Sequence, residues 1–198
     1  MTSRTVSRRR TRIRLPSRTP SAALLDRGTD PNRMILFGSS AGAGLALSTM
    51  LQLRKSGHPM PAGAVLLWPY ADLTFSGPSM QANAAFDMLP TRELVEIWGP
   101  AYVGNADPAD PLVSPALAEL DGLPPLLVIA GGCECLLSCA EQIAANATAA
   151  GVDVRLSVYP HKVHGWMILP HLRETVAAVS ETTNWITDRL AGRSPCTT

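Results

Sequence analysis

Ser40 stands in Gly38-Ser-Ser-Ala-Gly42, directly after the apolar run Met34-Ile-Leu-Phe37 and directly before a stretch of helical periodicity. A serine on a sharp strand-to-helix turn has its hydroxyl pushed clear of the sheet, where it can act as a nucleophile. Glycines at 38 and 42 are expected because a side chain at either would collide with the neighbouring strand or helix. The backbone N–H of Ala41, at the helix N-terminus, points to where an attacked carbonyl oxygen would become an oxyanion.

A serine at its free pKa is a poor nucleophile, so it needs a base, and the base needs an orienting acid. Four histidines are available: His58, His161, His164 and His171. His58 lies in the turn-rich Gly57-His-Pro-Met-Pro61, and His171 follows Pro170 at the start of the last helical pattern. His161 and His164 share the loop after Val154-Arg-Leu-Ser-Val-Tyr159, a strand by its β-branched and apolar content. Functional loops of an open parallel sheet follow the carboxyl ends of strands, which favours this loop over the other two histidines. The same rule selects the acid. Asp121 and Asp153 precede strands, Asp107 and Asp110 sit in a Pro-rich connection suited to turns, and Glu134 follows Leu126–Ala130 through Gly131-Gly132-Cys133. Nucleophile, acid and base thus come from the carboxyl ends of three strands, in that chain order.

The elements that must hold these groups alternate. Strands are expected at Met34–Phe37, Ala64–Trp68, Leu126–Ala130 and Val154–Tyr159. Helices are expected at Ala41–Lys55, ended by Gly57 and Pro59, and from Thr91 to Trp98. A third opens at Ser138, with Glu141 completing a capping box, and ends at Gly151; a fourth spans His171–Leu190. The alternation implies an α/β domain of about four parallel strands with right-handed crossovers and helices on both faces.

The chain resembles the hormone-sensitive-lipase-like carboxylesterases among the α/β-hydrolases. The resemblance rests on Gly38–Gly42, Trp68-Pro-Tyr-Ala-Asp-Leu-Thr74, Asp110-Pro-Leu-Val-Ser-Pro115 and Gly122-Leu-Pro-Pro125. It also rests on Glu134-Cys-Leu136, Gly151-Val-Asp-Val-Arg155 and His164-Gly-Trp166. Order of nucleophile, acid and base agrees with that family. The resemblance implies Ser40 as nucleophile, His164 as base and Glu134 where the family more often carries Asp; His161 falls where a small loop residue is usual. It implies hydrolysis of short-chain acyl esters through an acyl-enzyme, without a cofactor. Family members also carry a His-Gly-Gly-Gly-type segment well upstream that supplies most of the oxyanion hole. No such segment precedes Gly38 here, nor do the first family strands, so the sequence is expected to represent the C-terminal part of a partial α/β-hydrolase fold. Two expectations follow: an alternative in which the chain is a catalytically impaired or inactive fragment, and self-association through an exposed sheet edge.

Residues 1–25 hold seven of the 17 basic residues, all arginine, and no acid; the other ten basic residues face 16 acidic ones, a net of about −6. The boundaries expected are therefore a disordered Arg-rich tail at 1–25 and the hydrolase domain at 26–192. The acidic body and scarcity of aromatics argue against a nucleic-acid partner. No apolar run reaches signal-peptide or membrane-span length, which points to a cytoplasmic protein. Cys133, Cys135 and Cys139 do not match zinc spacings, so no metal is expected, and they read as free thiols that could make the acid loop oxidation-sensitive. Trp166 and Met167 read as core packing rather than pocket lining.

Overall fold

The computed structural model describes residues 20–89 and 92–192. A short helix α1 (Pro20–Leu25) leads into β1 (Ile35–Ser39), α2 (Ala41–Lys55) and β2 (Gly63–Leu67). A long connection carries α3 (Ser79–Ala82) and α4 (Arg92–Val103) before β3 (Leu126–Gly131), α5 (Leu137–Ala149), β4 (Val154–Tyr159) and α6 (Arg173–Leu190). The four strands form one parallel sheet in the order β1-β2-β3-β4.

Side-chain alternation along buried strands divides the core in two. Leu66, Leu126, Val128 and Ala130 face α2 and α5, meeting Leu47, Met50, Cys139, Ala140 and Ile143. Val65, Leu67, Leu127 and Ile129 face the other side, where Ala178 and Trp185 of α6 and Trp166 cover them. Every residue of β2 and β3 is buried, as expected for inner parallel strands covered by helices. Gly63 is needed at the start of β2, because a Cβ there would come within 2.6 Å of the Trp185 ring. A third cluster, Met80, Val95, Cys135 and Leu136 with Tyr70 and Phe75, fastens the long connection to the loop after β3.

Several expected boundaries move. β1 runs on through Gly38 and Ser39 because both continue the ladder opposite Leu66 and Leu67. Residues 20–25, assigned to the tail, form α1, while the rest of the Arg-rich segment lies outside the described residues. α4 continues past Trp98 through Pro100 to Val103. The capping box at Ser138 does not form: α5 opens at Leu137 behind Leu136, with no side-chain cap. Ser138 instead exchanges two hydrogen bonds with Ser79, its Oγ accepting from the Ser79 N–H (3.0 Å) and its N–H donating to Ser79 Oγ (2.9 Å). Among the described residues, no helix is long and apolar enough to cross a membrane.

Candidate active site

At the carboxyl end of β1 the chain turns through Ser40 with φ 53° and ψ −122°, a conformation that costs a non-glycine residue of order 1–3 kcal/mol. Neighbouring backbone holds it there. Ser40 N–H donates to the Leu67 carbonyl (2.9 Å), and the Ser40 carbonyl accepts from Tyr70 N–H (3.0 Å) and Ala43 N–H (3.0 Å). Close approach of β1 and α2 makes Gly38 obligatory, since a Cβ there would lie 2.2 Å from the Gly42 carbonyl oxygen. Gly42 differs from expectation: a Cβ on it would meet nothing within 4 Å. The second obligatory glycine is Gly44, whose Cβ would fall 2.3 Å from the Tyr70 carbonyl oxygen.

The loop after β4 brings His164 over this turn. Nε2 of His164 lies 2.9 Å from Ser40 Oγ, the direction of donation depending on the imidazole tautomer. On the other side of the ring, Nδ1 stands 3.5 Å from Oε2 of Glu134. That separation is within ion-pair range and longer than an ordinary hydrogen bond, and among the described residues these atoms complete no hydrogen bond elsewhere. The Glu134 side chain is wholly buried. Burial pushes its pKa above the ordinary value, the nearby Asp87 charge adds to the rise, and the His164 contact opposes it. The Trp68 ring meets the imidazole edge-on at 6.3 Å.

The other candidates lie elsewhere. His161 and His171 are exposed and His58 is half-buried in its turn. Asp107 and Asp110 accept from the Ala109 and Leu112 N–H groups, building turns. Asp121 and Asp153 pair with Arg54 and Arg189 at the opposite end of the sheet. Trp166 is buried in the core, its ring 4.7 Å from that of Tyr159, and Met167 packs against the same cluster.

Two strand-end loops lie one on the other. Gly132 N–H donates to the Tyr159 carbonyl (2.8 Å) and Cys133 N–H to the Lys162 carbonyl (2.8 Å). A Cβ at Gly131 would come within 2.4 Å of the Lys162 oxygen. Residues from the long connection, which carry no motif, grip the acid loop as well. Asn83 Nδ2 donates to the Glu134 carbonyl (2.9 Å), and Asp87 Oδ2 accepts from the Cys135 N–H (2.7 Å). Only a polar side chain in an otherwise apolar, irregular stretch could have hinted at Asp87.

Ala41, the first residue of α2, has no carbonyl four residues back to receive its N–H. It borders, with Ser40, a cavity of about 320 Å³ whose walls include Leu45, Tyr70, Leu73, Val95 and Trp98. The lining is largely apolar, suited to a hydrocarbon moiety beside the serine. Among the described residues no cluster of three or more His, Cys, Asp or Glu could hold a metal ion. Burial pushes the Cys135 thiol up to about 11 and the Cys139 thiol up to about 12, which suppresses the reactive thiolate.

A family model described as alpha/beta hydrolase fold matches residues 18–168. The chain is 38% identical over 157 residues to an acetyl-hydrolase of Streptomyces hygroscopicus, covering 77% of this chain and 52% of that protein. It is 34% identical over 164 residues to an esterase of Acinetobacter venetianus, covering 80% and 54%. The chain thus spans about half the length of the curated relatives it matches. Among solved structures, an esterase from the bacterial hormone-sensitive lipase family superposes with TM-score 0.82 at 39% identity, covering 86% of this chain and 58% of that one. A hormone-sensitive lipase from a metagenome library gives 0.81 at 37% identity, covering 86% and 57%.

Proposed function

The chain belongs to the α/β-hydrolase fold family, on its hormone-sensitive-lipase-like branch, and from that premise we propose that it hydrolyses carboxylic esters with short acyl chains. The observation that carries this reading is the imidazole of His164, 2.9 Å from Ser40 Oγ on one side and 3.5 Å from Glu134 on the other. The hydrolase unit is taken as residues 26–192.

The neutral His164 begins with its proton on Nδ1, facing Glu134, and its Nε2 lone pair facing Ser40. Ser40 Oγ attacks the acyl carbon while its proton passes to Nε2. The carbonyl π pair moves onto oxygen, and the Ala41 N–H stabilises that charge. Glu134 holds the tautomer and offsets the imidazolium charge. As the tetrahedral intermediate collapses, the bond to the alcohol oxygen breaks and Nε2 returns its proton to that oxygen. Water, deprotonated by His164, then attacks the acyl-Ser40 carbonyl. The carboxylic acid leaves, and Ser40 regains its proton from Nε2.

A fluorophosphonate probe tests the nucleophile. Labelling of the parent, lost in Ser40→Ala together with p-nitrophenyl butyrate hydrolysis, is the expected result. Labelling that survives the substitution removes the reading.

A second reading, an impaired catalyst, is favoured by β1. That strand pairs only with β2 among the described residues, leaving Phe37 56% exposed, and the reading assigns one oxyanion donor, Ala41. Under this reading, hydrolysis by the chain runs below that of its relatives, and rates equal to theirs would dismiss it.

A further inference from the structure

The peptide unit joining Glu134 to Cys135 is held at both of its polar atoms by the connection that follows α3. Its carbonyl accepts from Asn83 Nδ2 at 2.9 Å, and its N–H donates to Asp87 Oδ2 at 2.7 Å. Asp87 does more than this. Its second oxygen, Oδ1, accepts the backbone N–H of His164 at 3.2 Å. A single carboxylate, only 3% exposed, therefore bridges the loop that carries the acid and the loop that carries the base, 77 residues apart in sequence from the latter. The bridge bears on the main-chain N–H groups of Cys135, next to the acid, and of His164 itself.

A buried carboxylate beside a second buried carboxylate is an expensive arrangement unless its own hydrogen bonds are good. Asp87 stands close enough to Glu134 for its charge to disfavour ionisation there. An apolar residue would avoid that repulsion but would leave two buried N–H groups without acceptors. Bonds from N–H to a carboxylate are about twice as strong as neutral ones, which suits a clamp between two otherwise irregular loops.

We propose that Asp87 is a positioning residue, a two-oxygen clamp that fixes the Glu134 loop relative to the His164 loop and so sets the 3.5 Å and 2.9 Å contacts of the imidazole. The proposal rests on the reading of those residues as acid and base. Asp87 touches neither the reacting atoms nor Ser40 Oγ; it acts through His164 and Glu134. Displacement of a reacting group by about 1 Å can cost on the order of 10²-fold in rate, so the clamp belongs to turnover rather than to substrate binding.

The test compares Asp87→Asn and Asp87→Ala with the parent in the full chain. Asn keeps the shape and one acceptor oxygen, so it can satisfy one N–H but opposes the other with its own amide hydrogens. With p-nitrophenyl butyrate, kcat should fall about 10²-fold in Asp87→Ala and by an intermediate factor in Asp87→Asn, while KM stays within about twofold. Unchanged kcat in a folded variant overturns the proposal, as does a loss expressed in KM alone. Amide hydrogen exchange gives a readout independent of turnover. Peptides covering 132–136 and 161–165 should both exchange about tenfold faster in Asp87→Ala, and at least one of them in Asp87→Asn, with Leu126–Gly131 unchanged. Should Asp87→Ala fail to fold, Asp87→Asn decides on both measurements. Should the parent show no esterase activity, the proposed function fails while exchange still judges the clamp: faster exchange in both loops of Asp87→Ala supports it, and no change in either variant, or change in one loop only in Asp87→Ala, overturns it.

Discussion

Oε2 of Glu134 and Nδ1 of His164 stand 3.5 Å apart, a buried contact between the loop after β3 and the loop after β4. Replacing the carboxylate by an amide keeps the volume and removes the charge that steadies the imidazolium. Glu134→Gln should lower kcat by about 10³–10⁴-fold, the scale of such a change in a serine-histidine-acid triad. Glu134→Asp should fall between Gln and the parent, because the shorter side chain draws the carboxylate away from the ring. Steady-state kinetics on p-nitrophenyl acetate check the order; a Gln variant within tenfold of the parent would remove Glu134 from its role.

Burial raises the pKa of Glu134 above 4.5, so between that value and the raised one the folded state holds a proton that the unfolded state has released. Stability contributed by the protonated acid is thus complete below pH 4.5 and declines as pH rises through the folded pKa. Gln does not titrate. The melting temperature of Glu134→Gln should match the parent at pH 4 and exceed it increasingly toward neutrality. Parallel curves over that range would mean the carboxylate is not destabilised by its surroundings.

Two glycines in the first turn of α2 should respond differently to alanine. At Gly44 the new Cβ would lie 2.3 Å from the Tyr70 carbonyl, backbone against backbone, and α2 would have to move off the connection. Such overpacking costs roughly 1–3 kcal/mol. At Gly42 the Cβ enters open space, and the change should remain within about 0.5 kcal/mol. Urea unfolding of both variants measures the contrast, and equal midpoints would refute it.

Phe37 projects from β1, whose outer edge has no strand beside it among the described residues. Exposed apolar edges promote pairing between chains, and a lysine there discourages it. The parent should elute as a concentration-dependent assembly in size exclusion with light scattering, and Phe37→Lys should shift toward monomer. A parent that stays monomeric at all concentrations would dispose of edge-driven association.

Features carried by local pattern were legible in the sequence, and those created by tertiary partners were not. Met34–Phe37 and Leu126–Ala130 declared themselves as strands by unbroken apolar character, and Gly151 declared a helix end as glycine, where the backbone indeed takes a positive φ of 71°. Ser138 and Glu141 have the spacing of a capping box, but Ser79, 59 residues away, claims the Ser138 hydroxyl and main chain. Gly38 and Gly42 look equivalent within the motif, yet only Gly38 faces the crossing of strand and helix. Ser40, Glu134 and His164 could be named because strand ends mark them. Asp87 could not, because its importance lies in two N–H groups on distant loops, a relationship with no periodicity to announce it.

Each strand of the sheet lies beside its immediate predecessor, so a nascent chain can add strands in the order of synthesis without ever prying open a pair already made. The turn at Ser40 is synthesised 124 residues ahead of His164. Until the loop bearing His164 is in place, Ser40 has no imidazole beside it. Whatever reactivity it acquires arrives only when β4 docks, which makes that strand the timing element of the site.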